Sequence, residues 1–482
     1  MNAEAVLSVI VPCYNEQDTI AELVDQVLAR PEVAEVIIVD DGSTDGTRDI
    51  LAGFDDPRIR VLLQPVNLGK GAALQRGFMR ATADFVVVQD ADLEYDPSEY
   101  PILLEPLLAG KADVVYGSRF LSAKSRRVLY FWHSIGNKML TLMSNVFTDL
   151  NLTDMETCYK VFRREVIQSI ELTEDRFGIE PEVTAKVAAG KWRVWEVGIS
   201  YNGRTYAEGK KIGLRDAFRA AFVVLRHSPP ASRLARSRSF RAKETKQATS
   251  ELSDSLSHLA EAESYAEYLV DALEPHLDGV VHEIGAGVGT IAKRVAERGW
   301  TVVASEPDEH EYSSLVDSLA DHEATALQAD LDQATAQVTA DTVVMCNVLE
   351  HIEDDRAALA KIYDSLNPGG RLVVLVPAHD MLYGPFDLAV GHYRRYRRTD
   401  LINRLADAGF DLDQARHMNR PGALIWFGWA RLLRQNPAAK SVSSAFDRFM
   451  TPLVRATDEY EDVPFGLSVL AVGRKPESSE AS

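Results

Sequence analysis

The feature that most constrains how this chain can fold is an alternation of short apolar runs with helix-length segments. It occurs in two series with one break between them. In the first series Leu7–Val11, Val36–Val39, Ile59–Leu63, Phe85–Val88 and Val114–Tyr116 read as strands, and segments such as Thr19–Arg30 carry a helical pattern. Strands alternating with helices predict a mostly parallel sheet covered by helices. Near residue 228 the pattern stops. Pro229 and Pro230 open a Ser/Arg/Lys/Thr-rich stretch that reads as a linker. The second series has strands at Val280–Ile284, Thr301–Ser305, Ala326–Leu327, Thr342–Met345 and Arg371–Val376. At roughly 100–200 residues per domain, a chain of 482 residues holds two to four domains. The expected organisation is two α/β domains, residues 1–227 and 262–482, joined by a polar linker over 228–261.

Charge and cysteine content narrow the function classes. A net charge of −20 argues against nucleic acid as a partner, because polyphosphate backbones require excess Lys and Arg. Cys13, Cys158 and Cys346 are far apart and lack metal-ligand spacing, so neither a disulfide framework nor a zinc site is expected. A reducing, cytoplasmic compartment fits. The N-terminus runs from Met1 into a strand-like segment without a basic-then-apolar signal. No stretch approaches the ~20 apolar residues of a membrane span. Any membrane contact is expected to be peripheral.

Four features follow in order in the first half. One strand ends in Val11-Pro12-Cys13-Tyr14-Asn15-Glu16 and the next in Val39-Asp40-Asp41-Gly42-Ser43. A loop reads Asn67-Leu68-Gly69-Lys70-Gly71, and another strand ends in Gln89-Asp90-Ala91-Asp92-Leu93-Glu94. Ligands of open parallel sheets sit at the carboxyl ends of strands, where three of these features lie. Two neighbouring carboxylates such as Asp90 and Asp92 repel unless a cation sits between them and a diphosphate. Mg2+ or Mn2+ suits such oxygen ligands, and would offset charge on a departing nucleoside diphosphate. A lone Asp-x-Asp would read as a solvated turn; the ordered set of four makes a nucleotide-sugar site the better reading.

With these motifs, residues 7–225 resemble a family 2 glycosyltransferase of the GT-A fold, close to the dolichol- and polyprenol-phosphate sugar transferases. Tyr116-Gly117-Ser118-Arg119-Phe120, Thr153-Asp154-Met155-Glu156-Thr157-Cys158-Tyr159-Lys160 and Gly203-Arg204-Thr205-Tyr206-Ala207-Glu208-Gly209-Lys210-Lys211 strengthen the resemblance. It implies that Pro12, Tyr14, Glu16, Asp41 and Asp90 hold the nucleotide sugar. It implies that Asp90, Asp92 and Glu94 surround the metal, although many relatives have Gln at the last position. It implies further that Arg119 and Arg204 hold an acceptor phosphate near Lys210 or Lys211, and that the anomeric carbon inverts. A phosphate monoester, with a second pKa of about 6, needs no strong base. Guanidinium forks would position it. A hydroxyl acceptor would need a carboxylate base, with Asp154 or Glu156 as candidates.

Two segments suggest a membrane surface. Arg119, Lys124, Arg126, Arg127 and Lys138 occur with no acidic residue between them and with Tyr130, Phe131 and Trp132 in their midst. Trp132, Ile135, Met139, Leu142, Met143 and Val146 then share one helical face, as do Leu214, Phe218, Ala221 and Leu225. Basic amphipathic helices with aromatic residues lie in bilayer interfaces, and stripes of this spacing also pack on cores. Related polyprenol enzymes often carry transmembrane helices beyond this point; this chain has none there.

In the second half, Glu283-Ile284-Gly285-Ala286-Gly287-Val288-Gly289 runs into the helix Thr290–Arg298. Glycines allow a ligand to approach the backbone closely. The Gly-x-Gly-x-Gly spacing differs from the usual dinucleotide motif. Glu306, ending the next strand, is placed for ribose hydroxyls. Asp330-Leu331 suits an adenine amino group and ring. Val348-Leu349-Glu350-His351-Ile352 and Leu366-Asn367-Pro368-Gly369-Gly370 follow. Together these resemble a class I S-adenosylmethionine-dependent methyltransferase across residues 262–475. The resemblance implies that Glu283, Gly285, Ala286, Gly287, Gly289, Glu306, Asp330 and Leu331 hold the cofactor. Both halves are thus expected to be Rossmann-like.

Methyl transfer to a hydroxyl needs alignment and proton removal. His351, or His392 within Gly391-His392-Tyr393-Arg394-Arg395-Tyr396, suits a base or a structural hydrogen bond. Arg394 and Arg395 either grip an anion or pair with acids. A long insertion between two last strands, Leu412–Met418 and Gly466–Val472, contains Leu424, Ile425, Trp426, Phe427, Trp429, Leu432 and Leu433 with Arg420, Arg431 and Arg434. It reads as an interfacial segment, a lid or a cover for the sheet. The expected protein is a bifunctional enzyme that glycosylates a lipid-linked acceptor at the inner membrane face and methylates, preferably on oxygen, that product or a related precursor. The alternative is a cytosolic enzyme acting on a soluble natural product or polysaccharide precursor. Intact acids at 90, 92, 283, 306 and 330 argue against a non-enzymatic scaffold.

Overall fold

The computed structural model describes residues 5–121, 131–203, 214–227, 263–426, 451–458 and 465–477. The chain divides into two compact units, Met1–Arg241 and Ala242–Ser482. The expected linker at 228–261 lies outside the described residues.

The first unit holds a seven-stranded sheet of β1 (Leu7–Cys13), β2 (Val33–Asp40), β3 (Ile59–Leu63), β4 (Phe85–Val88), β5 (Val114–Ser118), β6 (Lys160–Arg163) and β7 (Val194–Gly198), in the order β3-β2-β1-β4-β6-β5-β7. In β1, an interior strand, Leu7, Val9, Ile10 and Val11 are all buried. Both its faces are covered, which is why its sequence is a continuous apolar run rather than an alternating one. The chain order reverses around β1, with β2 on one side and β4 on the other. That switch point is where ligands of such sheets bind. β6 runs antiparallel between β4 and β5, an element the sequence pattern did not reveal.

The helix Phe131–Thr148 packs Leu140, Met143 and Phe147 against the core. Phe131, Met139, Leu142 and Val146 on the same helix are exposed, Val146 to 70%. The apolar stripe expected there is therefore split, with Met143 turned inward and Met139, Leu142 and Val146 outward. The helix Leu214–His227 packs beside it and exposes Phe222 and Leu225. Lys124, Arg126, Arg127 and Tyr130 lie outside the described residues, as do the side chains of Trp132, Leu214 and Phe218.

The second unit holds β8 (Val280–Ile284), β9 (Thr301–Glu306), β10 (Ala324–Gln328), β11 (Ala340–Cys346), β12 (Leu366–Pro377), β13 (Asp411–Met418) and β14 (Ser468–Arg474), in the order β10-β9-β8-β11-β12-β14-β13. Neighbours from β10 to β12 are parallel, and β14 runs antiparallel to both β12 and β13. The switch point lies between β8 and β11. The two last strands, β13 and β14, pair antiparallel across the insertion. Residues 427–450 and 459–464 of the insertion between them lie outside the described residues, and with them Phe427, Trp429, Arg431, Leu432, Leu433 and Arg434. The side chains of Leu424, Ile425 and Trp426 lie outside them too.

Candidate functional site

In the first unit, the loops after β1 and β2 are tied together. The Asn15 N–H donates to Ser43 Oγ at 3.0 Å, the Glu16 N–H to Thr47 Oγ1 at 3.0 Å, and the Thr44 N–H to Asn15 Oδ1 at 2.8 Å. Asp41 is buried, and its carboxylate accepts the N–H groups of Leu68 (2.7 Å) and Gly69 (2.8 Å) and the Gln64 amide (3.1 Å). Burial pushes its pKa up to about 6 against the pull of these donors. Asp41 therefore shapes the loop that carries Lys70. The Lys70 ammonium lies 2.8 Å from Asp90 Oδ1 and 3.2 Å from Glu180 Oε1. Burial opposes its charge, but Asp90 and Glu180 outweigh burial and hold it above the ordinary lysine range.

Beyond Asp90 the chain turns. Leu93 adopts φ 60°, and Asp92 Oδ1 accepts the Glu94 N–H at 3.2 Å. Glu94 accepts the Tyr201 hydroxyl at 2.7 Å, and the Arg119 guanidinium lies 5.1 Å from the Tyr201 ring centre. Arg119 forms a two-pronged pair with fully buried Asp154, Nε to Oδ2 at 2.7 Å and Nη2 to Oδ1 at 2.8 Å. Glu156 has one buried oxygen without a hydrogen-bond partner, and burial together with Glu180 raises its pKa.

In the second unit, the glycine loop joins β8 to the helix Thr290–Glu297 with Gly285, Gly287 and Gly289 all at positive φ. The N–H groups of Gly285 and Ala286 donate to the Ser305 carbonyl, and that of Gly287 to Glu306 Oε2 at 2.9 Å. A Cβ on Gly285 would lie 2.6 Å from Val348, so the loop after β11 is packed against the glycine loop. Burial pushes Glu283 up to about 8, and its Oε2 has no hydrogen-bond partner. Asp330 caps the helix Leu331–Gln337 through the Gln333 N–H at 2.9 Å.

Past β11 and β12 a second cluster forms. His392 Nδ1 lies 2.9 Å from Asp387 Oδ1, which also accepts Arg395 Nε at 2.7 Å. His351 and His392 meet edge to face with ring centres 4.6 Å apart. Glu350, beside them, is fully buried.

Residues 8–171 match the family model described as glycosyl transferase family 2, and residues 247–415 match one described as a methyltransferase domain. The chain carries a family 2 glycosyltransferase domain and a methyltransferase domain. Dolichyl-phosphate beta-glucosyltransferase of Trichomonas vaginalis is 29% identical over 218 residues, covering 42% of this chain and 67% of that protein. Polyprenol monophosphomannose synthase of Mycolicibacterium smegmatis is 29% identical over 214 residues, covering 42% of this chain and 80% of that protein. Dodecaprenyl-phosphate galacturonate synthase of Rhizobium johnstonii is 27% identical over 226 residues, covering 45% of this chain and 65% of that protein.

In the glycosyltransferase half, Pro12, Tyr14, Glu16, Asp41, Asp90 and Asp92 all fall at or just beyond the carboxyl ends of β1, β2 and β4. Asp90, Asp92 and Glu94 do not form a three-donor cluster: among the described residues the one group with donor atoms within 4.8 Å of one another is Glu350, His351 and His392. Glu94 turns to Tyr201 instead. Arg119 is joined to Asp154, while Arg204, Lys210 and Lys211 lie outside the described residues. Lys70 and Glu180 were not singled out from sequence; the Lys within Asn67–Gly71 was the available signal for the first.

In the methyltransferase half, Arg394 lies 2.7 Å from Asp355 and Arg395 pairs with Asp387, so both pair with acids. Asp387, five residues before His392, was missed because nothing in its local sequence distinguishes it from a surface acid. No helix among the described residues is long and apolar enough to cross a membrane.

Proposed function

We propose that the first half transfers a sugar, with inversion, from a nucleotide sugar to polyprenyl phosphate or another lipid-linked acceptor. The second half methylates that product or a related precursor, on oxygen, with S-adenosylmethionine as donor. The observation that carries the acceptor is the outward apolar stripe of Phe131, Met139, Leu142 and Val146, continued by Phe222 and Leu225. It belongs to a domain with relatives whose names contain dolichyl phosphate, polyprenol monophosphomannose or dodecaprenyl phosphate. An exposed apolar patch on helices that also carry Lys138 and Arg226 suits a peripheral site on the cytoplasmic face of a membrane.

Asp90 and Asp92 offer only oxygen, which fits Mg2+ or Mn2+ completed by water and phosphate oxygens. When bound, the ion would offset charge on the departing diphosphate. Lys70 adds a fixed cation at the same edge, and Asp41 holds the loop that presents it. In the second half, the side-chain-free backbone at Gly285, Gly287 and Gly289 suits close approach of the donor, and Glu306 stands at the end of β9 for ribose hydroxyls.

A second reading has an observation in its favour. Arg119 is committed to Asp154, and Glu156, half-buried with one oxygen enclosed, has a raised pKa, which suits a base for a hydroxyl acceptor on a soluble precursor.

The test is incubation of purified protein with a panel of nucleotide sugars and polyprenyl phosphate, with and without S-adenosylmethionine, followed by mass spectrometry. A glycosyl phosphate lipid is expected, with a further methyl group when the donor is added. Transfer only to soluble hydroxyl acceptors would establish the second reading instead.

A further inference from the structure

Glu350 is a buried acid in the methyltransferase half whose surroundings donor binding does not explain. It is 0% exposed, and neither carboxylate oxygen has a hydrogen-bond partner. Buried acids are normally paired, hydrogen-bonded or bound to a metal. Glu350 Oε1 lies 3.8 Å from His392 Nε2. One donor atom from each of Glu350, His351 and His392 lies within 4.8 Å of the other two. Ligands held about 2.0–2.2 Å from one ion stand roughly 3–3.5 Å apart, so small side-chain rotations would close the observed group around a cation.

The surroundings have the form of a support for such a group. The Nδ1 of His392 faces Asp387, which is itself fully buried and held by Arg395 and by the Gly384 N–H at 2.8 Å. That leaves Nε2 directed towards Glu350. The His351 ring lies beside Gly391, where an added Cβ would stand 3.9 Å from Nδ1. The Tyr393 N–H donates to the Glu350 carbonyl at 2.8 Å and locks the two segments together. Histidine ligands of metals are oriented in this way, with the far ring nitrogen given to a carboxylate or a carbonyl. A His–Asp pair acting as a base would explain His392 and Asp387, but not Glu350, whose buried oxygens have no hydrogen bond.

We propose that Glu350, His351 and His392 bind one divalent first-row cation beside the methyl-donor loop, with Asp387 as the residue that positions His392. A two-histidine, one-carboxylate set suits Mn2+, Fe2+, Co2+ or Zn2+ and leaves coordination positions open. Val348, which packs on Gly285, places the cluster next to the donor loop. The open positions face a methyl acceptor that binds through hydroxyl oxygens, because a cation lowers the pKa of an oxygen bound to it. This last step rests on the methyl-transfer reading; the cation site itself does not.

The 482-residue chain, freed of metal, is titrated with Mn2+ and followed by pulsed electron paramagnetic resonance. One ion per chain with histidine 14N coupling is expected. The coupling should persist in Asp92→Asn, since the cation proposed for the glycosyltransferase half has only oxygen ligands. It should vanish in Glu350→Gln and in His392→Ala. Circular dichroism melts without metal check folding, and Glu350→Gln removes a buried acid at nearly constant volume. Absence of 14N coupling in the wild type at saturating Mn2+, or its survival in a His351→Ala/His392→Ala double variant, overturns the cation site. S-adenosylhomocysteine binding, measured separately by calorimetry, reads the methyl-transfer assignment. Nucleoside binding without a nitrogen-coupled ion sinks the cation site alone, and an ion without nucleoside binding sinks the methyl-transfer reading alone.

Discussion

Single residues decide whether the loop before Lys70 and the glycine loop after β8 have their shapes. Asp41 gives its carboxylate to two backbone N–H groups of the Lys70 loop. Its pKa is raised from 3.8 to about 6, so between these values the folded state keeps a proton that the unfolded state has lost. Its contribution is therefore full below about pH 4 and is lost as pH rises through 6, a swing of up to about 3 kcal/mol. Urea unfolding from pH 4 to 6.5 should show the wild type losing stability relative to Asp41→Asn by up to that amount; parallel curves would show that Asp41 titrates normally. Gly285 is the corresponding position in the other half. Its φ of 73° and the 2.6 Å approach to Val348 exclude a side chain. Gly285→Ala should cost roughly 1–2 kcal/mol for the left-handed backbone alone and weaken S-adenosylhomocysteine binding at least tenfold, measured by calorimetry. The glycine's importance was legible in the motif. The partner that makes it obligatory, Val348, was not, because it follows a different strand.

At the scale of elements, the Arg119–Asp154 pair joins the end of β5 to the loop before β6. Removing one partner of a buried, two-pronged pair costs about 3–5 kcal/mol, because the other charge stays buried. Asp154→Asn should lower unfolding stability by that order. A variant of unchanged stability that nonetheless fails to transfer sugar would instead place Asp154 in the chemistry. The pair shows why a motif can be read correctly in type and incompletely in role: Gly117-Ser118-Arg119 announced an arginine, but its partner lies 35 residues further on. The helix Phe131–Thr148 makes the opposite point. Its periodicity was plain, yet one continuous stripe divides into an inward row, Leu140, Met143 and Phe147, and an outward row, Met139, Leu142 and Val146. Leu142→Glu with Val146→Glu should leave the melting temperature nearly unchanged and reduce flotation with anionic, polyprenyl-phosphate-containing vesicles about tenfold, since each substitution replaces apolar contact with charge. Undiminished flotation would remove this face from the membrane reading.

At the scale of the whole molecule, two sheets with separate switch points predict two separable activities. Asp92→Ala should abolish sugar transfer and leave methyl transfer within about twofold of wild type, because sites built from separate sets of residues behave independently. Both can be followed in one reaction by mass spectrometry. Loss of both activities in a folded Asp92→Ala protein would show that they are coupled.

The two α/β sheets were already determined by the sequence, because strands buried on both faces need continuous apolar runs and the connecting helices need their own period. The loops proposed to hold the two donors were legible too, as glycines and acids at fixed offsets from strand ends. Tertiary structure alone decided which charges meet. Lys70 faces Asp90 and Glu180, Arg119 is taken by Asp154, and His351 and His392 gather with Glu350, a buried carboxylate without a hydrogen bond. Such pairings join residues from different strands and loops, and local periodicity carries no record of which strand ends the sheet order brings side by side.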